Sequence, residues 1–292
     1  NLPRNSSQNI TFFAPAKINL YLHVTAKRND GYHLIESLVV FANCGDQISA
    51  IPSGKLKLTI EGQFSGDLSP NSTNLVIKAA LILAEFAGIQ ATGDIILTKN
   101  LPVASGIGGG SADAAATLCA LIELWGISIS TKNLFALAEK LGADVPVCLK
   151  GVPSIITGIG NEIISAPKLP KLWLVLVNPN ISVSTTSVFS KHQENFSLTQ
   201  PFTTKLQSVE KLANALSDYR NDLTTAAKLV APIISEVLEA LGSTDNQLLT
   251  RLSGSGATCF ALFKTKNAAN TAVKQLQTKH PLWWIKAASI DF

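Results

Sequence analysis

From residue 101 to residue 121 the chain reads LPVASGIGGGSADAAATLCAL, with four glycines (Gly106, Gly108, Gly109, Gly110) between two serines (Ser105, Ser111) and then an Ala/Leu run. Nothing else in the sequence restricts the fold so tightly. The residues before it, GDIILTKNLP, have the composition of a strand, and after it Leu118, Leu121, Ile122 and Trp125 recur at i, i+3, i+4 and i+7, one face of a helix. A strand therefore feeds through a glycine turn into a helix N-terminus. Such a turn presents unpaired backbone N–H groups and the positive end of the helix dipole, and glycine lets a ligand approach the backbone closely. That makes an anion cradle, most often for phosphate; the same letters also suit a tight turn that only needs positive φ. Two common phosphate motifs fail on the residues themselves. A Walker A loop ends in Gly-Lys-Ser/Thr, whereas Gly110 is followed by Ser111 and Ala112. A dinucleotide fingerprint needs glycine at 111 and a regular βα alternation, and both are missing.

The chain around this loop has 292 residues, 46% hydrophobic and only 15% charged, enough to bury a sizeable core and more than one domain usually holds. Two domains are expected. The net charge of +4 is spread without a Lys/Arg block, which argues against a nucleic-acid or membrane partner and suits an anionic small molecule. Cys44, Cys119, Cys148 and Cys259 are far apart without C-x-x-C spacing, and the four histidines are scattered. Neither a disulfide framework nor a zinc site is expected, and the cysteines read as reduced residues of a cytoplasmic protein. The opening NLPRNSSQN lacks an apolar signal core and no uncharged run of about 18 apolar residues occurs, so a chain neither secreted nor membrane-spanning is expected.

Strand-like alternation fills ITFFAPAKINLYLHV and LIESLVVFANCGDQISAI, separated by the turn RNDGYH, and LKLTIEG adds another strand. Val76, Ala79, Ala80, Leu83 and Ala87 then predict a helix with Thr73 or Asn74 as its N-cap. STKNLFALAEKLG is a capped helix ending at Gly142, and glycine-punctuated strands follow to GVPSIITGIG. The segment APKLPKLW marks a boundary between domains 1–167 and 168–292. Beyond it come the strand LWLVLVNP, an irregular stretch from 190 to 205, helices near 206–218 and 226–241, the strand ATCFALF, a short helix from 267 and the closing strand WWIKAASI. Strands and helices mix without regular βαβ order, so the class is α+β.

LPVASGIGGGSADAA resembles the phosphate loop of the GHMP kinases, the group of galactokinase, homoserine kinase, mevalonate kinase and phosphomevalonate kinase. Two further signatures of that family stand in the same order: PAKINLYL, residues 15–22, and LSGSGATCFALF, residues 252–263. The resemblance implies a two-domain fold, with an N-terminal ATP-binding domain like ribosomal protein S5 domain 2 and a C-terminal ferredoxin-like α/β sandwich. It also implies ATP as phosphoryl donor with Mg²⁺. RNDGYHLIES, LGADVPVCLKG and NDLTTAA narrow the likeness to the branch whose acceptor is a small polyol carrying a cytidine diphosphate group, on the non-mevalonate route to isoprenoids. GIGNEI departs from the family pattern at Asn161, and 190–210 shows no recognisable pattern.

Phosphoryl transfer to an alcohol needs charge stabilisation and a carboxylate to take the hydroxyl proton. Alone, Asp144 after a helix-ending glycine reads as a turn former and Lys17 as a solvated strand residue; the resemblance makes Asp144 the base and Lys17 its neighbour and charge stabiliser. It wraps the ATP phosphates in the backbone of Ser105, Gly106, Gly108, Gly109, Gly110 and Ser111, with Pro102 ahead of them and the Ser111 hydroxyl a weak candidate for Mg²⁺. Asp113 is a further metal candidate, explained as easily as a helix-start charge that the dipole favours. Asn74 and Lys99 are placed near the adenosine end, although a helix cap explains Asn74 equally well. Tyr32 would stack on cytosine and His33 would hydrogen-bond it; otherwise they read as a core strand residue and a turn histidine. Asn19 would meet the polyol hydroxyls, Thr185 and Phe189 would line the pocket, and Gly254, Ser255 and Gly256 would form a second backbone nest, or only a tight turn. Two rivals stay open. One is a GHMP kinase of the homoserine or mevalonate type, whose substrates offer no base to stack; the other is a non-catalytic nucleotide-binding relative. Monomer and homodimer are both open.

Overall fold

The computed structural model describes residues 9–193 and 195–290. Its chain forms two compact units from interleaved segments: residues up to Ala16, Gly45–Val103 and Gly109–Lys150 in the first; Lys17–Cys44, Ala104–Gly108 and Gly151 onward in the second. The units do not follow a single cut near residue 167. The reason lies in two unusually long strands, β1 (Ile10–Lys27) and β2 (His33–Ile51), of 18 and 19 residues, each of which gives one part to each unit.

In the first unit, the C-terminal part of β2 pairs antiparallel with β4 (Gly93–Thr98), Ile48 opposite Leu97 and Ala50 opposite Ile95, and β4 pairs parallel with β3 (Leu56–Glu61). Four helices complete it: α1 (Leu75–Ala87), α2 (Gly109–Trp125), α3 (Thr131–Leu141) and α4 (Val145–Lys150). Asn74 caps α1 as predicted, its side-chain oxygen accepting the Val76 N–H at 3.0 Å. α1 buries Val76, Ala79, Ala80 and Leu83 and packs on α2, whose buried first turns are Ala112, Ala114, Ala115 and Ala116. Small side chains let the two helices approach closely, which brings the start of α2 into the body of the unit. The short α4, which begins directly after Asp144, was not read from the sequence.

In the second unit, the N-terminal part of β2 pairs with β5 (Ser154–Thr157), which pairs with β6 (Glu162–Ser165). β7 (Leu172–Asn178), β8 (Leu249–Leu252), β9 (Cys259–Phe263) and β10 (Trp284–Ile290) form a four-stranded antiparallel sheet in the order β10-β7-β9-β8. With its helices this is the ferredoxin-like arrangement expected. The helices are α5 (Thr185–Lys191), α6 (Val209–Leu216), α7 (Thr224–Val230), α8 (Ile233–Gly242) and α9 (Lys266–Lys279). The single helix expected over 226–241 is two, because Pro232 has no N–H to continue the ladder and Ala231 leaves helical geometry at φ −137°. α9 is not short: Ala269, Ala272 and Leu276 give it a buried stripe over 14 residues. β8 and α5 were missed, both being brief and polar. Leu22 and Val24 of β1 join the apolar core formed by Val175, Val177, Ile234, Val237 and Phe263.

Candidate active site

The glycine stretch is divided between the units after Gly108. Its first part, in the second unit, is tied down by backbone bonds. Val183 N–H donates to Ala104 O at 2.9 Å, Thr258 N–H to Ser105 O at 3.0 Å and Lys17 N–H to Ile107 O at 2.9 Å. The Ser253 hydroxyl adds a bond to Gly106 O at 3.0 Å. Gly106, at φ +78°, has no room for a side chain: a Cβ there would stand 2.4 Å from Ser253 O and 2.6 Å from Gly256 N. Across the contact, a Cβ on Gly254 would stand 2.7 Å from Gly106 O. Gly106 and Gly254 are glycines because two loops touch. Asn221, in the NDLTTAA motif, supports the second loop by donating to Leu252 O at 2.9 Å and Gly254 O at 2.8 Å; its role was not legible beforehand. Beside that loop, the hydroxyls of Thr185 and Ser255 share a hydrogen bond of 2.9 Å.

Lys17 and Asn19 alternate along β1 under these loops, on the same side of the strand by its two-residue period. The Lys17 side chain runs against Gly108, its Cβ and Cε 3.1 and 3.2 Å from where a Gly108 Cβ would be. Asn19 donates its amide N–H to Ser253 Oγ at 3.2 Å and its Nδ2 to Ser37 Oγ at 2.8 Å. Its Oδ1 is buried without a hydrogen-bond partner among the described residues. A buried acceptor of this kind suits a donor that arrives with a ligand, such as a hydroxyl group.

Elsewhere in the same unit, Tyr32 is 61% exposed, so it is not a core strand residue. Its N–H is held by Asp30 Oδ1 at 3.2 Å. His33 stacks on Phe189 with ring centroids 5.0 Å apart and planes 30° from parallel. An exposed tyrosine beside a histidine–phenylalanine stack offers flat faces and ring nitrogens, the groups that hold a heterocyclic base.

In the first unit, Gly109, Gly110 and Ser111 open α2 with the orphan N–H groups of a helix start. Gly109 and Gly110 do not have positive φ, and a Cβ on Gly110 would meet Leu75 Cδ1 at an ordinary 3.5 Å. Lys99 is only 2% exposed, with its ammonium 2.5 Å from Asp46 Oδ2 and 2.7 Å from Asp113 Oδ2. Burial works against that charge, but the two carboxylates outweigh it and hold Lys99 above the usual lysine range. Asp46 also accepts the N–H groups of Asn100 at 2.6 Å and Leu101 at 2.8 Å, tying the end of β4 to β2. Asp113 is pushed up to about 7 by burial, against the pull of Lys99 and with the repulsion of Asp46. The resemblance places Lys99 near the adenosine end of the nucleotide; its ammonium is committed to two buried carboxylates. Asp113 likewise faces the interior rather than a metal. Asp46 was overlooked; it is the one aspartate of β2, with its partners far along the chain.

Asn74 spends its side-chain amide on the α1 cap and on Ser69 O at 3.2 Å. Pro102 is buried ahead of the loop, and Ser111 is half-buried in the first turn of α2. Asp144 is half-buried at the N-terminal edge of α4, its carbonyl accepting the Cys148 N–H at 3.2 Å. Lys17 and Asp144 belong to different units. Among the described residues there is no group of three or more His, Cys, Asp or Glu side chains arranged to hold a metal ion, and no helix long and apolar enough to cross a membrane.

A glycine loop opening a helix, a lysine strand against it and a second glycine loop are the parts of a phosphotransferase. The family models agree: GHMP kinases N terminal domain matches residues 74–152 and GHMP kinases C terminal matches residues 202–282. The chain belongs to the GHMP kinase family. Within it, the chain is 48% identical over 277 residues to 4-diphosphocytidyl-2-C-methyl-D-erythritol kinase of Paramagnetospirillum magneticum, covering 95% of this chain and 97% of the relative. The enzyme of that name from Rhodospirillum rubrum is 45% identical over 274 residues, covering 94% and 90%. Among solved structures, a 4-(cytidine 5'-diphospho)-2C-methyl-D-erythritol kinase superposes with a TM-score of 0.78 at 28% identity over 97% of this chain and all of that one. A homoserine kinase from Cytophaga hutchinsonii shares the fold, with a TM-score of 0.71 at 21% identity over 99% and 98% of the two chains.

Proposed function

We propose that the chain transfers the γ-phosphoryl group of ATP to the 2-hydroxyl of 4-diphosphocytidyl-2-C-methyl-D-erythritol, the substrate after which the related kinases are named, in the cytoplasm. The observation that carries this reading is Asn19 Oδ1, a buried acceptor with no hydrogen-bond partner among the described residues, next to Lys17 and the two glycine loops. It suits a substrate bearing hydroxyl groups. In this reading Asp144 takes the proton of the attacking hydroxyl as the oxygen–phosphorus bond forms and ADP leaves. Lys17 stabilises the charge on the moving phosphoryl group.

The backbone of Ser105–Ser111 holds the triphosphate, with Asn74, Lys99 and Pro102 on the adenosine side. There the Lys99 side chain acts by supporting the loop, because its ammonium is already paired. Tyr32 and Phe189 flank the cytosine and His33 hydrogen-bonds its edge, while Thr185 and the Gly254–Gly256 loop line the polyol side. Mg²⁺ suits the donors offered: the hard oxygen of Ser111 and the phosphates of the nucleotide would hold it, and its charge would offset that of the triphosphate. All remaining steps belong to side chains and backbone of the chain.

The test is a coupled assay of ADP release with the cytidyl polyol, homoserine and mevalonate as acceptors. Turnover confined to the cytidyl polyol is expected, with Asp144→Asn lowering kcat roughly 10³-fold, within the range for a lost general base. Preference for homoserine or mevalonate would overturn the acceptor, and near-normal turnover by Asp144→Asn would overturn the base.

A further inference from the structure

His192 follows α5 in the second unit, and its N–H donates to Phe189 O at 3.2 Å. Its ring meets His33 edge-on, with centroids 6.0 Å apart and planes at 78°, so two imidazoles and Phe189 converge on one spot. On its other side His192 stacks on Phe196, at 6.4 Å and 23°. Nδ1 of His192 is buried and has no hydrogen-bond partner among the described residues. Folded proteins seldom leave such an atom unpaired, because its lost hydration is then uncompensated.

Burial holds the His192 imidazole below its ordinary range, against the opposing pull of Asp222, so the ring is neutral near pH 7, with one nitrogen donating and the other accepting. Asp222 is itself engaged by the Val24 N–H at 2.8 Å, the Ser197 hydroxyl at 2.7 Å and Arg220 at 2.5 Å, and is not the missing partner. Cytosine presents an amino donor beside a ring-nitrogen acceptor, and uracil presents a carbonyl beside an N–H. One histidine reads one of those positions; a second imidazole set against it reads the next.

We propose that His192 is a specificity-determining residue of the base subsite, hydrogen-bonding the edge of cytosine through Nδ1 beside His33. Phe196, 38% exposed and outside any helix or strand, stacks on the other side of the His192 ring. The proposal rests on the cytidyl reading above and adds to it a residue and a discrimination.

The experiment compares wild type, His192→Phe and His192→Gln, with KM and kcat measured for the cytidyl polyol, its uridyl counterpart and ATP. His192→Phe keeps a flat ring against His33 and Phe196 but no nitrogen. It is expected to raise KM for the cytidyl substrate about tenfold, the usual scale of one lost hydrogen bond in a site, and to narrow the cytidyl-over-uridyl preference by a similar factor. KM for ATP and kcat stay within about twofold of wild type, on the same hydrogen-bond argument, and His192→Gln recovers part of the loss. Unchanged cytidyl KM and base preference in His192→Phe would overturn the proposal. Equal losses for ATP and the cytidyl substrate would also overturn it, since they would show a structural role. Wild type that ignores the cytidyl polyol would sink the acceptor reading and this proposal together, whereas wild-type turnover with an indifferent His192→Phe sinks this proposal alone.

Discussion

Gly106 and Gly110 stand four residues apart in one glycine stretch, but different forces hold them as glycine. At Gly106 the backbone is left-handed and a side chain would overlap the Ser253 carbonyl. At Gly110 φ is not positive, the surroundings have room for a methyl group, and the residue is exposed at the start of α2. The first glycine joins two loops of the protein to each other. The second leaves the start of α2 without a side chain, where we propose that the nucleotide phosphates bind. Counting glycines in a motif therefore mixes two functions, and only the neighbours in space separate them.

The largest expected effect comes from breaking the first half. Gly106→Ala combines a strained φ with a backbone overlap and should cost about 3 kcal/mol or more. Thermal unfolding would show a Tm far below wild type, and activity should fall with it. An unchanged Tm would mean that the two loops are not packed as described.

The second half should respond in the opposite sense. Gly110→Ala fills open space in a helix and is expected to leave stability unchanged or raise it by up to about 1 kcal/mol. At the same time KM for ATP should rise several-fold, because a methyl group would stand where phosphate approaches. Loss of Tm without a change in KM would put Gly110 in the same class as Gly106.

The smallest effect concerns the charged support beneath the loop. Asp113 is an acid whose folded value, pushed up to about 7 by burial and opposed by Lys99, lies above its ordinary 3.8. The folded chain then binds this proton more tightly than the unfolded chain, so the contribution to stability is present at low pH and declines as pH rises from about 4 to about 7. Lys99 has a raised value too, and its contribution holds below the ordinary lysine value and disappears above its folded one. Replacing Asp113 by Asn should flatten the dependence of Tm on pH between about 5 and 7. A slope equal to that of wild type would show that Asp113 does not titrate there.

The strands, most helices and the strand–loop–helix passage were readable because they follow from local periodicity, caps and breakers: Asn74 caps α1 where its position says it should. The break at Pro232 was equally readable and was passed over. What escaped were features with partners far along the chain. Lys99 looks like an ordinary charge after a strand, and its burial depends on Asp46, 53 residues earlier, and Asp113, 14 residues later. Asn221 looks like a turn residue until the Leu252 and Gly254 carbonyls meet it.

By itself the sequence determined the motif order, the α+β class and the residue types for phosphoryl transfer, since each is carried by side chains and spacings within a few residues. Tertiary structure alone decided which glycines serve the protein's own packing, which lysine is a buried counter-ion, and that buried atoms such as Asn19 Oδ1 and His192 Nδ1 have no hydrogen-bond partner among the described residues. The physical reason is that burial and pairing are properties of neighbours in space, and the neighbours that matter here lie tens to hundreds of residues apart in the chain.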